Sequence, residues 1–289
     1  MDNYEFISDY KHNKELRISF EALAQKTFGI RFEEWYQLGF WREAYIPYSI
    51  MDGRRIISNV SVNKMSFHSN GRKKFFLQLG TVMTDTEFRG KGLNRQLIER
   101  ILADYKDTCE GIYLFANDSV LDYYPKFGFE KAAEYQYSKK VRNTGEKKAV
   151  PWPMTDKSSY AYLEERIRKS WKNSLFEMDN AGLYLFYLTY FMKNSMYYIE
   201  ELKTYVIAEE EEGTLFLHQV ISEQEAELDR IIAAFGKDIT KAVLGFTPLS
   251  SQEFDREELK EEDTTLFILG KGWEEFRKGQ LRFPVLSHA

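Results

Sequence analysis

A glycine-rich segment with flanking cations, Arg89-Gly-Lys-Gly92, is the part of this sequence whose residue types best suit a chemical role. It follows an apolar run that ends at Val82-Met-Thr84 and precedes a helical pattern that begins at Leu93. Glycine lets a backbone approach an anion without interference from a Cβ atom. N–H groups at the start of a helix bind phosphate well. The segment, with Arg95 nearby, therefore predicts a site for a phosphate-bearing ligand.

Two common nucleotide-binding patterns do not fit this segment. The GxxxxGK[ST] spacing of a P-loop is absent. The GxGxxG pattern of dinucleotide-binding folds fails at position 95, which is an arginine. The phosphate that is bound here should therefore belong to another kind of ligand.

A second segment, Asn117-Asp-Ser-Val-Leu-Asp-Tyr-Tyr-Pro-Lys-Phe-Gly-Phe129, lies downstream. Together the two segments resemble the GCN5-related N-acetyltransferase (GNAT) family, whose pyrophosphate loop reads Arg/Gln-x-x-Gly-x-Gly/Ala and whose second signature is Asn, a helix bearing Tyr, and Gly-Phe. Arg89 and Gly92 match the loop pattern, whereas Asn94 stands where the family usually has Gly or Ala. The resemblance covers roughly residues 1–142.

The resemblance implies a co-substrate, acetyl-CoA, and a set of residues that would hold it. In this family the strand before the loop contacts the pantetheine arm through main-chain groups, the loop holds the pyrophosphate, and the Asn after the next strand contacts the cofactor arm. The implied cofactor-binding residues are Val82, Met83, Thr84, Arg89, Gly90, Lys91, Gly92, Leu93, Asn94, Arg95 and Asn117. The implied catalytic residue is Tyr124, which would protonate the departing thiolate. No metal is expected.

The reaction that the resemblance implies is direct attack of a primary amine, on a small molecule or a peptide, on the thioester carbonyl. Proximity supplies much of the acceleration in such a cleft, so a strong base is not obligatory. Candidate bases are Glu33, Glu34, His68, Asp85 and Glu87, although each also suits a solvated surface charge. A terminal carboxylate at Ala289 is a further candidate. The alternative function is a non-catalytic acyl-CoA-binding or sensory module.

An aromatic cluster follows the first predicted helix. It suits either a wall of the acceptor pocket or core packing, and comprises Phe32, Trp35, Tyr36, Phe40 and Trp41.

Hydrophobic periodicity predicts a mixed α/β (α+β) domain with a mostly antiparallel sheet flanked by helices. The predicted helices are Glu15–Phe28, Phe32–Leu38 and one after Asn94, with short helical turns at Ser119–Tyr124. The predicted strands are Tyr45–Ser49, Arg55–Met65, Lys74–Thr84, Ile112–Ala116 and Phe129–Val141. Turns at Met51–Gly53 and Ser69–Gly71 make the early strands an antiparallel meander.

A polar segment with two prolines, Asn143–Pro153, predicts a boundary between domains at 1–145 and 146–289. The second, smaller α/β domain has predicted helices at Tyr160–Trp171, Leu183–Met192 and Glu223–Phe235. Its predicted strands are Tyr197–Ile207, Leu215–Val220, Ala242–Phe246, Leu266–Leu269 and Phe283–Leu286. This order is compatible with a degenerate tandem repeat and with ordinary α/β alternation. Ile221–Glu225, where a repeat would place phosphate, has two carboxylates and no glycine.

Composition narrows the class of protein. The 289 residues are 43% hydrophobic and contain a single cysteine, Cys109, which excludes an internal disulfide and a multi-cysteine metal site. The opening Met1–Phe6 does not read as a signal peptide, and no apolar run is long enough for a bilayer. We therefore expect a cytoplasmic protein without membrane or nucleic-acid partners. Residues 1–150 hold 24 Lys+Arg against 20 Asp+Glu, whereas residues 151–289 hold 16 against 25. The oligomeric state stays open.

Overall fold

A computed structural model describes residues 4–105 and 107–288. The first half runs β1 (Glu5–Ser8), α1 (Lys14–Phe28), α2 (Glu33–Gln37), β2 (Tyr45–Asp52), β3 (Arg55–Ser69), β4 (Arg72–Thr84), α3 (Leu93–Tyr105), β5 (Gly111–Ala116), β6 (Glu130–Lys131) and β7 (Tyr135–Lys140). Short 3₁₀ turns lie at Thr86–Phe88, Asp118–Val120 and Tyr124–Phe127. The predicted helices, meander and mixed α/β class are confirmed.

The second half continues with β8 (Val150–Pro151), α4 (Lys157–Lys169), β9 (Phe176–Met178), α5 (Ala181–Thr189), β10 (Met196–Ile199), β11 (Thr204–Glu211), β12 (Thr214–Ile221), α6 (Leu228–Ala233), β13 (Lys241–Leu244), β14 (Asp255–Glu258), β15 (Thr265–Leu269) and α7 (Glu274–Gly279). Further 3₁₀ turns lie at Glu200–Leu202 and Val285–Ser287.

Local sequence explains the boundaries of α1. The Asn13 side chain accepts hydrogen bonds from the N–H groups of Glu15 and Leu16, which would otherwise lack partners at the helix start. The helix ends at Gly29, whose φ of 72° is the left-handed conformation that glycine adopts readily. Phe20 and Leu23 on the inner face are buried. This face anchors α1 over β3 and β4.

The strands form two mixed sheets. The first has the order β1-β2-β3-β4-β5-β15-β6, with β9 also paired to β3, and the second has the order β14-β7-β13-β12-β11-β10-β8. Most neighbours are antiparallel, but β4 pairs with β5, and β12 with β13, in parallel. Each sheet thus holds a meander followed by a helix and a parallel strand, and the two sheets fit a tandem-repeat arrangement.

Strands are exchanged between the two sheets. β15, from the second half, pairs with β5 and β6 in the first sheet, whereas β7, from the first half, pairs with β13 and β14 in the second. The division at residue 145 therefore describes chain order rather than sheet membership, and as a domain boundary it stays a prediction.

Three predicted strands differ from the structure. Phe129–Val141 is split into β6 and β7, which belong to different sheets. Tyr197–Ile207 is split into β10 and β11, because Lys203 adopts a φ of 49° and turns the chain. Phe283–Leu286 does not form a strand, since Val285–Ser287 is a 3₁₀ turn. The predicted helix Glu223–Phe235 is also shorter, as α6.

The two faces of the first sheet are covered differently. α3 packs Leu93, Leu97 and Ile101 against side chains of β3 to β5 on one face. On the other face, α1, α5 and the chain after Leu281 enclose an aromatic core. Among the described residues, no helix combines the length and the apolar composition that crossing a bilayer requires.

Candidate functional site

The cleft at the centre of the first sheet is where β4 and β5 separate. The two strands pair only between Phe76–Gln78 and Gly111–Tyr113. Beyond that point the described residues of β4, from Leu79 to Thr84, pair only with β3, while the far edge of β5 pairs with β15. The β4 edge that carries Val82, Met83 and Thr84 therefore leaves main-chain groups facing a gap, as an extended ligand requires.

A β-bulge at Thr81 bends β4 beside this gap. The pairing with β3 shifts register between Asn59 and Ser61, and Thr81 adopts a φ of 48°. This conformation is unfavourable for a β-branched residue, and such outliers concentrate at functional sites. The Asn59 Nδ2 donates to the Thr81 carbonyl at 2.9 Å and holds the bulge in place.

A chain of buried side chains ends at the Thr81 hydroxyl. Asn59 Nδ2 donates to Ser61 Oγ at 2.9 Å, and Ser61 Oγ donates to Tyr45 Oη at the same distance. Tyr45 Oη in turn lies 2.8 Å from Thr81 Oγ1. Burial raises the pKa of Tyr45 well above its ordinary value, so this hydroxyl keeps its proton. The network presents a fixed hydroxyl at the bulge.

The predicted phosphate loop joins β4 to α3 at one end of the gap. Gly90 and Gly92 have φ values of 78° and 74°, and a Cβ atom at either would meet open space. Within the described part of the chain, the N–H groups of Gly90, Gly92 and Leu93 have no hydrogen-bond acceptor. Since α3 has 13 residues, its dipole adds positive potential at the same place. The loop has the form of an anion site.

The three predicted cations lie around the loop. Arg89 Nε donates to the Thr84 carbonyl at 3.3 Å, and Lys91 Nζ donates to Tyr4 Oη at 2.6 Å. Arg95 Nε pairs with Glu99 at 2.7 Å one helical turn on. All three side chains are exposed, so they can turn toward a bound anion.

Asn94 ties the loop to the sheet. Ser58 Oγ donates to Asn94 Oδ1 at 2.6 Å and lies 2.9 Å from Thr84 Oγ1. A glycine or alanine at this position could not accept the hydrogen bond from Ser58. The departure from the family pattern thus places a side-chain tether between the start of α3 and the end of β4.

Asn117 and Tyr124 lie beyond the end of β5. Asn117 is exposed, and its side chain makes no capping hydrogen bond with the 3₁₀ turn that it precedes. Tyr124 is buried against Phe129 and against Phe267 of β15. Among the described residues its hydroxyl has no hydrogen-bond partner. Burial raises the pKa of Tyr124, so the hydroxyl is protonated throughout the physiological range.

A cavity of about 230 Å³ opens beside the Thr81 bulge, and we call it the aromatic pocket. It is lined by residues from both halves of the chain: Ile30, Phe32, Trp35, Tyr45, Thr81, Leu183, Phe186, Tyr187, Phe191 and His288. Phe32 and Trp35 thus pack in the core and line the cavity at once. Tyr36, by contrast, lies under the Arg17 guanidinium.

Comparison with known proteins identifies the fold. Residues 16–132 match the sequence model of an acetyltransferase (GNAT) domain. Residues 16–132 form a GNAT domain. No curated protein sequence matches the chain.

Solved structures resemble the chain well beyond the GNAT domain. A conserved protein of unknown function from Enterococcus faecalis V583, described as a probable N-acyltransferase, has a TM-score of 0.61 at 13% identity, over 92% of this chain and 72% of that one. A GCN5-related N-acetyltransferase from Kribbella flavida has a TM-score of 0.58 at 15% identity, over 92% and 71%. Eis1 from Mycobacterium abscessus has a TM-score of 0.54 at 12% identity, over 91% and 72%. At these identities the likeness establishes the fold alone.

Each of the side chains considered as a base has partners away from the pocket. Glu33 pairs with Arg17, Glu34 with Lys193, His68 with Asp179, and Glu87 with Arg55. Asp85 is buried, which alone would raise its pKa, but hydrogen bonds from Lys26, the Glu87 N–H and Arg55 hold that pKa below its ordinary value. None of the five lines the aromatic pocket. Ala289 lies outside the described residues.

Sequence reasoning did not identify the individual residues of the second half that line the pocket. Leu183, Phe186 and Tyr187 come from α5, whose apolar pattern predicted a helix and no site residue. His288 reaches the GNAT domain because Phe283 packs on Tyr113 with the ring centroids 4.4 Å apart, and the imidazole stacks on Phe115 at 3.7 Å. No local pattern marks such a long-range contact.

Proposed function

We propose that the GNAT domain is an N-acetyltransferase that moves acetyl from acetyl-CoA to a primary amine of a small molecule or peptide. The observation that carries this proposal is the alignment of three features along β4. The loop with its unpaired N–H groups lies at one end of the gap, the open strand edge follows, and the aromatic pocket lies at the Thr81 bulge. A long ligand with an anionic end and a reactive end fits this order.

Acetyl-CoA would supply an acetyl thioester. The N–H groups of Gly90, Gly92 and Leu93 would bind its pyrophosphate, with Arg89, Lys91 and Arg95 adding charge. Main-chain groups of Val82, Met83 and Thr84 would orient the pantetheine arm, as would the Asn117 side chain. Free, outward-facing N–H groups on β4 can also stabilise the charge that develops on the carbonyl oxygen.

Tyr124 is proposed as the general acid. Its hydroxyl holds a proton at neutral pH, and the residue opens the 3₁₀ turn Tyr124–Phe127, which follows β5 in the chain. A protonated hydroxyl can give its proton to the thiolate as the C–S bond breaks, and the proton that the amine nitrogen loses as the N–C bond forms would pass to solvent. The acceptor would enter through the aromatic pocket, so that α5 of the second half helps to enclose it and excludes water. Juxtaposition of the two substrates would supply most of the remaining acceleration.

The test combines cofactor binding with turnover. Acetyl-CoA should raise the melting temperature of the protein, and release of coenzyme A should depend on an added amine. If acetyl-CoA stabilises the protein but no amine in a broad panel accelerates release, the chain is an acyl-CoA-binding module instead. If acetyl-CoA causes no stabilisation at all, the proposed cofactor site is also wrong.

A further inference from the structure

The shape of the aromatic pocket restricts what can enter it. Its walls are largely carbon, with the Phe186 ring 5.2 Å from Phe32 and 5.3 Å from Trp35, centroid to centroid. Its volume of about 230 Å³ lies below the roughly 300 Å³ at which pockets for drug-sized ligands begin. The part of an acceptor that enters must therefore be compact and apolar.

The charge of the pocket restricts the acceptor further. Among the described residues that line it there is no Asp or Glu. Glu33 and Glu34, which belong to the same helix as Trp35, are paired with Arg17 and Lys193. A second ammonium group on the acceptor would have to be buried without a counterion, which is costly.

His288 adds no positive charge to the pocket wall. Burial lowers the pKa of its imidazole to about 3, so the ring is neutral at physiological pH. Its stacking on Phe115 presents it as part of an aromatic surface. The wall is therefore neutral as well as apolar.

Two hydroxyl groups, those of Tyr45 and Thr81, belong to the pocket wall at the bulge. Ser61 Oγ donates to Tyr45 Oη, which leaves the Tyr45 hydrogen free to point to Thr81 Oγ1. Thr81 Oγ1 can then accept a hydrogen bond from an amine N–H while the amine lone pair stays available for attack. The bulge lies on β4, next to the gap in which the thioester is proposed to sit.

We propose that the acceptor is a primary monoamine with a compact alkyl or aryl body, whose amine is held by the Thr81 hydroxyl that Tyr45 orients and whose body fills the aromatic pocket. The inference rests on the proposed acetyl transfer. It excludes diamines, polyamines and polycationic sugars as good acceptors.

A nearly isosteric pair of acceptors tests the charge requirement. Hexylamine and 1,5-diaminopentane differ mainly in whether a methyl or a charged ammonium group ends the chain. We expect kcat/KM for hexylamine to exceed that for 1,5-diaminopentane by at least tenfold, with 2-phenylethylamine also a good acceptor. An equal or higher kcat/KM for the diamine would overturn the inference while leaving acetyl transfer intact.

The pocket can also be tested without turnover. 2-Phenylethanol has the apolar body without the amine, and it should bind to the wild-type protein and compete with 2-phenylethylamine. If no amine supports coenzyme A release but 2-phenylethanol still binds, the proposed transfer fails and the pocket survives. If neither 2-phenylethanol nor 2-phenylethylamine binds, the pocket assignment is wrong.

A negative charge placed at the pocket mouth should weaken the preference for hexylamine over 1,5-diaminopentane. Phe191 lines the pocket, but its side chain is 51% exposed, so Phe191→Glu should fold. The matched control is Ile18→Glu on α1, at a side chain that is 56% exposed and does not line the pocket. We expect the hexylamine to diaminopentane ratio of kcat/KM to fall at least tenfold in Phe191→Glu and to stay constant in Ile18→Glu. An unchanged ratio in both variants would contradict the inference.

The hydroxyl of Thr81 is a positioning group in this account. Thr81→Ala should raise KM for hexylamine several-fold, and Thr81→Ser, which keeps the hydroxyl, should restore it. Alanine and serine both lack the β-branch that is disfavoured at a φ of 48°, so the pair separates the hydroxyl from backbone strain. Equal KM values for the two variants would remove Thr81 from acceptor binding.

Discussion

The two strand-loop-helix units, β4 to α3 and β12 to α6, share an element order but not a loop chemistry. The first loop has Gly90 and Gly92 at positive φ and leads into a 13-residue helix. The second loop, Ser222–Glu227, has no glycine, carries Glu223, Glu225 and Glu227, and leads into a helix of six residues. The first unit can therefore receive an anion, whereas the second repels one.

Polar groups in the second loop are engaged within the protein. The Ser222 carbonyl accepts from the Trp171 N–H at 2.7 Å, and Ser222 Oγ donates to the Gln224 carbonyl at 2.6 Å. The Ala226 N–H donates to Asn173 Oδ1, and Glu223 pairs with Arg166. A ligand would have to displace these contacts, while the first loop offers N–H groups that have no acceptor among the residues that the structure describes.

The parallel strand pairs of the two units also differ in whether the space between the separating strands is open. In the first sheet β4 and β5 separate into an open gap. In the second, the Gly245 N–H donates to the Leu217 carbonyl at 2.8 Å, and the Gly245 carbonyl accepts from the Val285 N–H at 2.9 Å. The end of the chain thus covers the separation in the second sheet. The strand separation is therefore open in the first unit and covered in the second, where the cavity of about 670 Å³ beside the loop is lined by Glu223, Glu225 and Glu227.

The largest expected effect comes from the acid that only the first unit is proposed to use. Tyr124→Phe should lower kcat by roughly 10² to 10⁴ without changing the Kd for acetyl-CoA, because general acid catalysis is worth about that much. Tyr123→Phe is the matched control, since its ring lies next to that of Tyr124. Steady-state kinetics and titration calorimetry measure the two quantities. An unchanged kcat in Tyr124→Phe would remove this residue from the mechanism.

A side chain added at Gly92 in the first loop should remove the difference in anion binding between the two units. Gly92→Val puts a β-branched residue at a φ of 74°, which distorts the loop that presents the N–H groups. We expect the Kd for acetyl-CoA to rise about 100-fold, in line with the roughly 1–3 kcal/mol that such backbone strain costs. Glu225→Val, at the second loop, should leave the Kd unchanged. Comparable losses in the two variants would contradict the assignment of the site to the first loop.

The Asn94 tether should have a smaller effect. Asn94→Ala removes the hydrogen bond from Ser58, which is worth about 1 kcal/mol, so the Kd for acetyl-CoA should rise about five-fold. Ser58→Ala should give a similar change, and the double variant should add little to either single one. Additive losses would mean that Asn94 and Ser58 act separately.

The buried carboxyl groups of Glu177 and Asp85 allow the two units to be compared through the pH dependence of protein stability. Glu177 on β9 belongs to the first sheet and accepts from Gln219 of β12 in the second, so it joins the two units. Burial raises the pKa of Glu177 from 4.5 to about 7. Its contribution to the free energy of unfolding is therefore complete below pH 4.5 and is lost as the pH rises through 7. The pKa of Asp85, in the first unit, is shifted the opposite way.

Glu177→Gln keeps the acceptor for Gln219 and removes this titration. Relative to the wild type, the variant should gain at most about 3 kcal/mol of unfolding free energy between pH 4.5 and pH 8. Urea denaturation at the two pH values measures the gain, with the exposed Glu225→Gln as the control. If the difference in unfolding free energy between the wild type and Glu177→Gln does not change with pH, Glu177 is ionised in the folded protein.

Sequence patterns predicted the first half of the fold well because its elements are regular and locally encoded. The turns at Gly53 and Gly71 and the glycine loop before α3 are all marked by residues within a few positions. The exchange of β7 and β15 could not be predicted, because strand pairing between distant segments leaves no periodic signal. For the same reason the loop residues of the candidate site were accessible to sequence reasoning, whereas the contributions of α5 and His288 to the pocket were not.

Stoichiometry of acetyl-CoA binding tests most directly the claim that the first unit alone is a cofactor site. Isothermal titration of the wild-type chain should give one acetyl-CoA per chain, and Gly92→Val should weaken that single site. Two sites per chain, or a site of unchanged affinity in Gly92→Val, would contradict the account.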